Sequence, residues 1–159
     1  MTHEQYLALL IGRILRRGPV IESGRNKHDA LARWLARKIA VYIAFENMRW
    51  RGVLVSRGVT VVRAFPPVVH AVRVQQRWNP PQSLVERVEV RFSVAPAQPV
   101  RRIVITAREI QNDTFRLMIS GDTRFGFGVV DSGFVRFERL PSGRIRFVEV
   151  APLRSSVII

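Results

Sequence analysis

The segment from His28 to Arg51 constrains the fold of this 159-residue chain more than any other. Ala36, Ala40 and Ala44 form a line of small residues four apart on one side of a helical projection of it. Large apolar side chains recur at spacings of three and four on the other side, as on a buried helical face. They are Leu31, Trp34, Leu35, Ile39, Tyr42 and Phe45. The pattern predicts a long helix that the rest of the chain covers from two directions.

A shorter helix is predicted before it. Thr2 and Gln5 have the spacing of a capping box, and Gly18-Pro19 is a typical helix end. Between them, the segment Tyr6–Arg17 places apolar residues on one side of a helix and basic residues on the other side or its margins. We expect an amphipathic helix packed on the surface of the domain, with a helix lying on a membrane surface as the alternative.

The hydrophobic period changes from 3.6 to 2 after Gly52, which indicates strands. Val53–Val55 and Val59–Val62 predict a hairpin. Turn-like sequences, among them Asp131-Ser132-Gly133, separate the later predicted strands. Those strands are Val68–Trp78, Val85–Val94, Arg102–Arg108, Thr114–Ile119, Arg124–Val130, Phe134–Arg139 and Arg144–Val150.

These elements predict an α+β fold in a single domain, residues 1–159. Two N-terminal helices (1–51), the second long and largely buried, pack on the antiparallel β part (52–159). We expect the β part to form a sandwich or partly open barrel of seven to eight strands.

The charge of the chain restricts its partners. Lysine and arginine number 26 against 12 acidic residues, a formal net charge of +14, and all the cations except Lys27 and Lys38 are arginines. Arginine binds phosphate and carboxylate in a bidentate manner, and so large an excess favours an anionic partner. Nucleic acid, DNA or RNA, is the first expectation, followed by an anionic membrane and an acidic protein.

The candidate nucleic-acid-binding residues are the cations on predicted exposed faces, which are densest in the N-terminal third. Binding through them is expected to be sequence-independent, because it depends on arginine–phosphate contacts. The candidates are Arg13, Arg16, Arg17, Arg25, Lys27, Arg33, Arg37, Arg73, Arg77, Arg101, Arg102, Arg144 and Arg146.

Catalytic patterns are missing from the sequence. Without cysteine, disulfides, thiolate catalysis and cysteine-bound zinc are excluded. His3, His28 and His70 belong to no metal-binding or triad pattern, and no phosphate-binding loop or nucleophile elbow is present. The sequence therefore predicts a non-enzymatic protein with no metal site and no cofactor.

The segment Arg124–Val129, RFGFGV, has aromatic residues spaced as in RNA-binding strands, but it lacks the glycine expected after the first cation. We interpret Phe125 and Phe127 as core residues, with base stacking on their rings as the alternative.

A second function class is a structural subunit of a virion or other particle. The segment Ala151–Ile159 ends in three apolar residues, Val157, Ile158 and Ile159. They either pack on the sheet of their own chain or add a strand to a neighbouring subunit. No apolar run is long enough to span a bilayer and no signal-peptide pattern is present, so the expected location is the cytoplasm or a virion.

Overall fold

The computed structural model describes residues 1–56, 58, 67–78, 84–94, 98–111, 113–123 and 126–155, with the side chains of 50–55, 76–78, 84–85, 123 and 151–155 outside the description. The fold is α+β, two helices followed by a six-stranded antiparallel sheet. The helices are α1 (His3–Arg17) and α2 (Lys27–Ser56). The strands are β1 (Val68–Trp78), β2 (Leu84–Ser93), β3 (Arg101–Gln111), β4 (Thr114–Thr123), β5 (Gly126–Arg139) and β6 (Ile145–Ser155).

Helix α1 forms as its end signals predict. The Thr2 hydroxyl accepts a hydrogen bond from the Gln5 backbone N–H at 3.1 Å, and the Gln5 side chain accepts one from the Thr2 N–H at 2.9 Å, which confirms the capping box. Gly18 ends the helix with a φ of 90°. The apolar side of α1 is buried against α2 and β1, so α1 is a packed surface helix.

Helix α2 is buried along Leu31, Leu35, Ile39 and Ile43, each at most 1% exposed. Phe45, predicted to belong to this face, is 56% exposed. Two residues along a helix turn the side chain by about 200°, so Phe45 lies opposite Ile43.

The predicted hairpin after Gly52 is wrong in its first strand. Residues 53–55 belong to α2, which continues to Ser56, and residues 59–62 lie outside the described residues. A three-residue apolar run has no period that separates a strand from a helix, and a glycine inside a helix costs only about 1 kcal/mol, so Gly52 did not end α2.

The strands form a meander in which each pairs with the next, in the order β1 to β6. Asp131-Ser132-Gly133, predicted as a turn, lies inside β5, so two predicted strands are one. The β4–β5 register shifts beside Asp131 and the β5–β6 register shifts beside Gly133, so these turn-type residues occupy bulges. The sandwich and the count of seven to eight strands are not confirmed: the described strands form one open sheet of six, and the helices supply the second layer.

The core lies between the helices and one face of the sheet. Val88, Val90, Ile103, Ile105 and Leu117 are fully buried there. Helix α2 contacts β3 and β6, while α1 contacts β1. Because strand side chains alternate, residues at the intervening positions point to the other face, where no described helix packs.

Candidate nucleic-acid interface

We call the sheet face away from the helices the open face. Strand pairing aligns its residues in rows that run from strand to strand, for example Arg73–Glu89–Val104–Ser120. Arginine is the most frequent residue in these rows. The arginines of the open face with described side chains are Arg73, Arg87, Arg91, Arg102, Arg108, Arg116, Arg136 and Arg146.

Two pairs of these arginines lie directly opposite each other on neighbouring strands. Arg91 pairs with Arg102 across β2 and β3, and Arg108 pairs with Arg116 across β3 and β4. Directly opposed like charges destabilise a sheet, because their Cβ atoms are only about 5 Å apart. Arg91, Arg108 and Arg116 are exposed, and none forms an ion pair with a described residue. The face therefore holds guanidinium groups with unused hydrogen-bond donors.

Carboxylates compensate only part of this charge. Among the described side chains, the acidic residues of the open face are Glu89, Asp122 and Glu138. Glu89 lies 3.4 Å from Arg102 and Glu138 lies 2.6 Å from Arg146, while Asp122 accepts the backbone N–H of Arg102 at 2.8 Å. Each carboxylate is thus already bound, and the face keeps a positive excess.

Exposed apolar side chains lie between the arginines. Phe134 is 37% exposed and pairs with Arg116, and Met118 is also 37% exposed. Phe127 is 42% exposed, and the guanidinium carbon of Arg102 lies 4.1 Å from its ring centroid. The interpretation of Phe127 as a core residue was wrong because it pairs with Asp122 on the open face. Phe125 lies outside the described residues.

Several predicted candidates instead hold the helices to the sheet or brace α2. Lys27 Nζ lies 2.8 Å from Glu109 Oε1 and 5.0 Å from the ring of Phe137. Arg101 lies on the helix-facing side of the sheet, 2.5 Å from a carboxylate oxygen of the buried Glu46. Partial burial lowers the pKa of the Arg101 guanidinium, against the opposing effect of Glu46.

The other cations near the start of α2 are also bound. Arg33 lies 3.2 Å from Asp29, within the same helix, and Arg37 forms an ion pair with Glu22. Arg144 donates hydrogen bonds to the Ser23 hydroxyl at 2.8 Å and to the Ser23 carbonyl. These contacts hold the connection between the helices against α2 and β6, so all three side chains have partners within the protein.

A second cationic region lies in the helical layer. Arg13, Arg16 and Arg17 on α1 and Arg25 in the following connection are exposed, and their side chains form no ion pair with described residues. Because α1 packs on the opposite side of the sheet, these four do not join the open face. The side chain of Arg77 lies outside the described residues.

The structure brings together Arg73, Arg102 and Arg146 from the predicted set and adds five arginines that sequence reasoning missed. The signal that could have identified them is the two-residue alternation within each strand, applied to all strands at once. The five are Arg87, Arg91, Arg108, Arg116 and Arg136.

The buried carboxylates on the helix-facing side bind basic side chains of the protein itself. Glu46, 4% exposed, is bound by Arg49 at 2.9 Å as well as by Arg101. The hydrogen bond from His3 to the fully buried Glu86, at 2.7 Å, raises the pKa of His3. Burial raises the pKa of Tyr42 to about 12.

Among the described residues, no group of three or more histidine and acidic side chains could hold a metal ion.

A groove of about 450 Å³ lies between α2 and β6. Trp34, Val41 and Phe147 line it, and the Nζ of Lys38, also on its wall, lies 2.8 Å from Glu149. Residues 147–149 of β6, an edge strand of the described sheet, form one wall of the groove.

Comparison of the chain with protein-family models, with curated proteins and with solved structures found no match. Within the described residues, no helix is long and apolar enough to cross a membrane.

Proposed function

We propose that this protein binds nucleic acid through the open face, without catalysing a reaction, mainly by contacts from arginine to backbone phosphate. The observation that supports this most is the pairing of Arg108 with Arg116, neither of which forms an ion pair with a described residue; Arg91 lies opposite Arg102 in the same way, although Arg102 is also 3.4 Å from Glu89. A sheet gains nothing in stability from opposed like charges, so their presence is accounted for by an anion that binds between them.

The form of the face favours a polyanion over a small anion. The arginines extend over all six strands, from Arg73 on β1 to Arg146 on β6. A ligand with one charge would engage a single pair and leave the others uncompensated. A nucleic-acid strand places a phosphate at every nucleotide and releases counterions as arginines replace them. This binding is sequence-independent, as in a nucleoprotein, a nucleocapsid or a ribosome-associated protein.

The test is binding of the full chain to a labelled duplex, a single-stranded DNA and an RNA, each in two unrelated sequences, across a salt series. We expect affinity that falls steeply with salt and is similar for the two sequences. The log–log slope for the duplex, divided by about 0.9, gives the number of phosphates engaged. An absence of binding to all three at low salt would overturn the proposal.

A second candidate, a particle subunit, is favoured by the β6 edge. Ile145 exchanges two backbone hydrogen bonds with Gly24, at 2.7 and 2.9 Å, and this bridge is the only pairing on that outer edge within the described residues. The β1 edge differs, because the Glu4 side chain accepts the Val74 N–H at 2.8 Å. The β6 edge can therefore pair with a second copy of this chain by strand addition.

The oligomer hypothesis assigns residues Val157, Ile158 and Ile159, which lie outside the described residues, to the same contact. Sedimentation at increasing concentration, with and without residues 156–159, tests it. Concentration-dependent assembly that the deletion abolishes supports the particle subunit. A chain that stays monomeric at the highest concentration contradicts it.

A further inference from the structure

We infer that the open face selects single-stranded over double-stranded nucleic acid, with bases stacked on the rings of Phe134 and Phe127. The inference rests on the proposed function and names the form of nucleic acid that the same face takes. The excess of arginine on the open face favours a polyanion as its ligand. The exposed rings that lie among the arginines favour a ligand with unstacked bases.

Phe134 lies in the same row as Arg108 and Arg116. It is directly opposite Arg116 on β4, and Arg136, two residues along β5, projects from the same face. Both guanidinium groups are exposed, and Phe134 itself is 37% exposed. A base stacked on the Phe134 ring therefore has two cations within reach of its flanking phosphates. Stacking platforms between cations are the usual design of proteins that hold single strands.

Phe127 provides a second platform further along β5. The guanidinium carbon of Arg102 lies 4.1 Å from its ring centroid, and Phe127 is 42% exposed. Bases stack on guanidinium planes as well as on aromatic rings, so the two side chains together offer a surface for one base. Arg91, opposite Arg102, is placed to contact the adjoining phosphate.

A duplex cannot use these rings. Its bases stack on one another and expose only their edges in the grooves, so a sheet face of this kind reaches its phosphates alone. No described helix projects from the open face to enter a groove. The exposed rings of Phe134 and Phe127 thus contribute affinity only to unstacked bases.

The experiment measures binding of two ligands, an oligothymidine and a hairpin duplex with the same number of phosphates. Wild type and three variants are compared across a salt series. Phe134→Leu removes the ring and keeps an apolar side chain, while Phe134→Tyr keeps the ring. Met118→Leu is the matched control, because Met118 has the same 37% exposure on the same face. Thermal unfolding checks the fold of each.

We expect the single strand to bind at least about tenfold more tightly than the duplex at equal salt. Phe134→Leu weakens single-strand binding by about five- to tenfold, a loss at the lower end for one stacked base. Its salt slope is unchanged, because no phosphate contact is lost. Phe134→Tyr and Met118→Leu keep the wild-type affinity, and duplex binding is the same for all variants.

Two results overturn the inference and leave the proposed function intact: equal or tighter binding of the duplex, or single-strand affinity that Phe134→Leu does not change. If Phe134→Leu does not fold, Phe127→Leu and Phe127→Tyr give the same test, and equal affinity of these two overturns the inference. Failure of the proposed function looks different, since neither nucleic acid then binds at low salt.

Discussion

The cations on the two sides of the sheet differ in what they bind. On the helix-facing side, cations between the helices and the sheet have carboxylate partners, as in the pairs Lys27–Glu109 and Arg101–Glu46. On the open face Arg108 lies opposite Arg116, and neither has an acidic partner among the described residues. Charge on the first side joins helix to sheet, whereas charge on the second remains available.

The difference shows why net charge alone does not locate a binding surface. Lys27, Arg33, Arg37, Arg101 and Arg144 all counted toward the excess that predicts an anionic partner, yet each of them is paired within the protein, with a carboxylate or, for Arg144, with Ser23. What separates a structural cation from an available one is its neighbour across the strands or helices.

The largest expected effect is on the helix-facing side. Glu46→Ala leaves Arg101 and Arg49 without the carboxylate that binds both, and loss of one member of a buried ion pair costs about 3 kcal/mol. The same change at Glu138, whose pair with Arg146 is exposed, costs at most about 1 kcal/mol. Urea unfolding of both variants measures the contrast. Equal losses would show that the two faces do not differ in this way.

On the open face, removal of a charge is expected to stabilise the fold and weaken binding. Arg116→Gln relieves the repulsion from Arg108 and raises the free energy of unfolding by up to about 1 kcal/mol. The same variant lowers the salt slope of duplex binding by about 0.9, for one phosphate lost. Urea unfolding and a binding titration on the same preparation test the two expected changes, a higher free energy of unfolding and a smaller salt slope. A variant that is less stable, or that binds with an unchanged slope, would contradict the role given to this pair.

The smallest effect is a pH dependence on the helix-facing side. The hydrogen bond to Glu86 raises the pKa of His3, so its stabilisation is fully present below the ordinary value of 6.5 and is lost as pH rises through the raised pKa. We expect the difference in unfolding free energy between wild type and His3→Gln to be larger at pH 6 than at pH 9. Glu86→Gln is the control, because it removes the charge and should abolish this pH dependence. A difference that does not change with pH would contradict it.

Local signals predicted the parts of the fold that local interactions determine. The capping box at Thr2 and Gln5 and the end at Gly18 involve residues within one turn, and both are present. The start of β1 at Val68 and of β4 at Thr114 also follows the pattern of the sequence.

The errors occur where tertiary context decides. Residues 53–55 continue α2 because a short apolar run fits either structure, and Asp131-Ser132-Gly133 remains in β5 because bulges accommodate turn-type residues inside a strand. Alternation within a strand assigns each arginine to a face, but it does not give the pairing between strands: Arg108 and Arg116 become neighbours only through the β3–β4 register.

The most direct test of the open face as the binding surface compares two fourfold variants with the same loss of charge. One replaces Arg91, Arg108, Arg116 and Arg136 with glutamine, and the other replaces Arg13, Arg16, Arg17 and Arg25 in the helical layer. Titration of single-stranded DNA across a salt series should show that the first variant loses most of its affinity and its salt slope, while the second keeps nearly all of both. Equal losses in the two variants would mean that net charge alone attracts the nucleic acid, and would contradict a binding site on the open face.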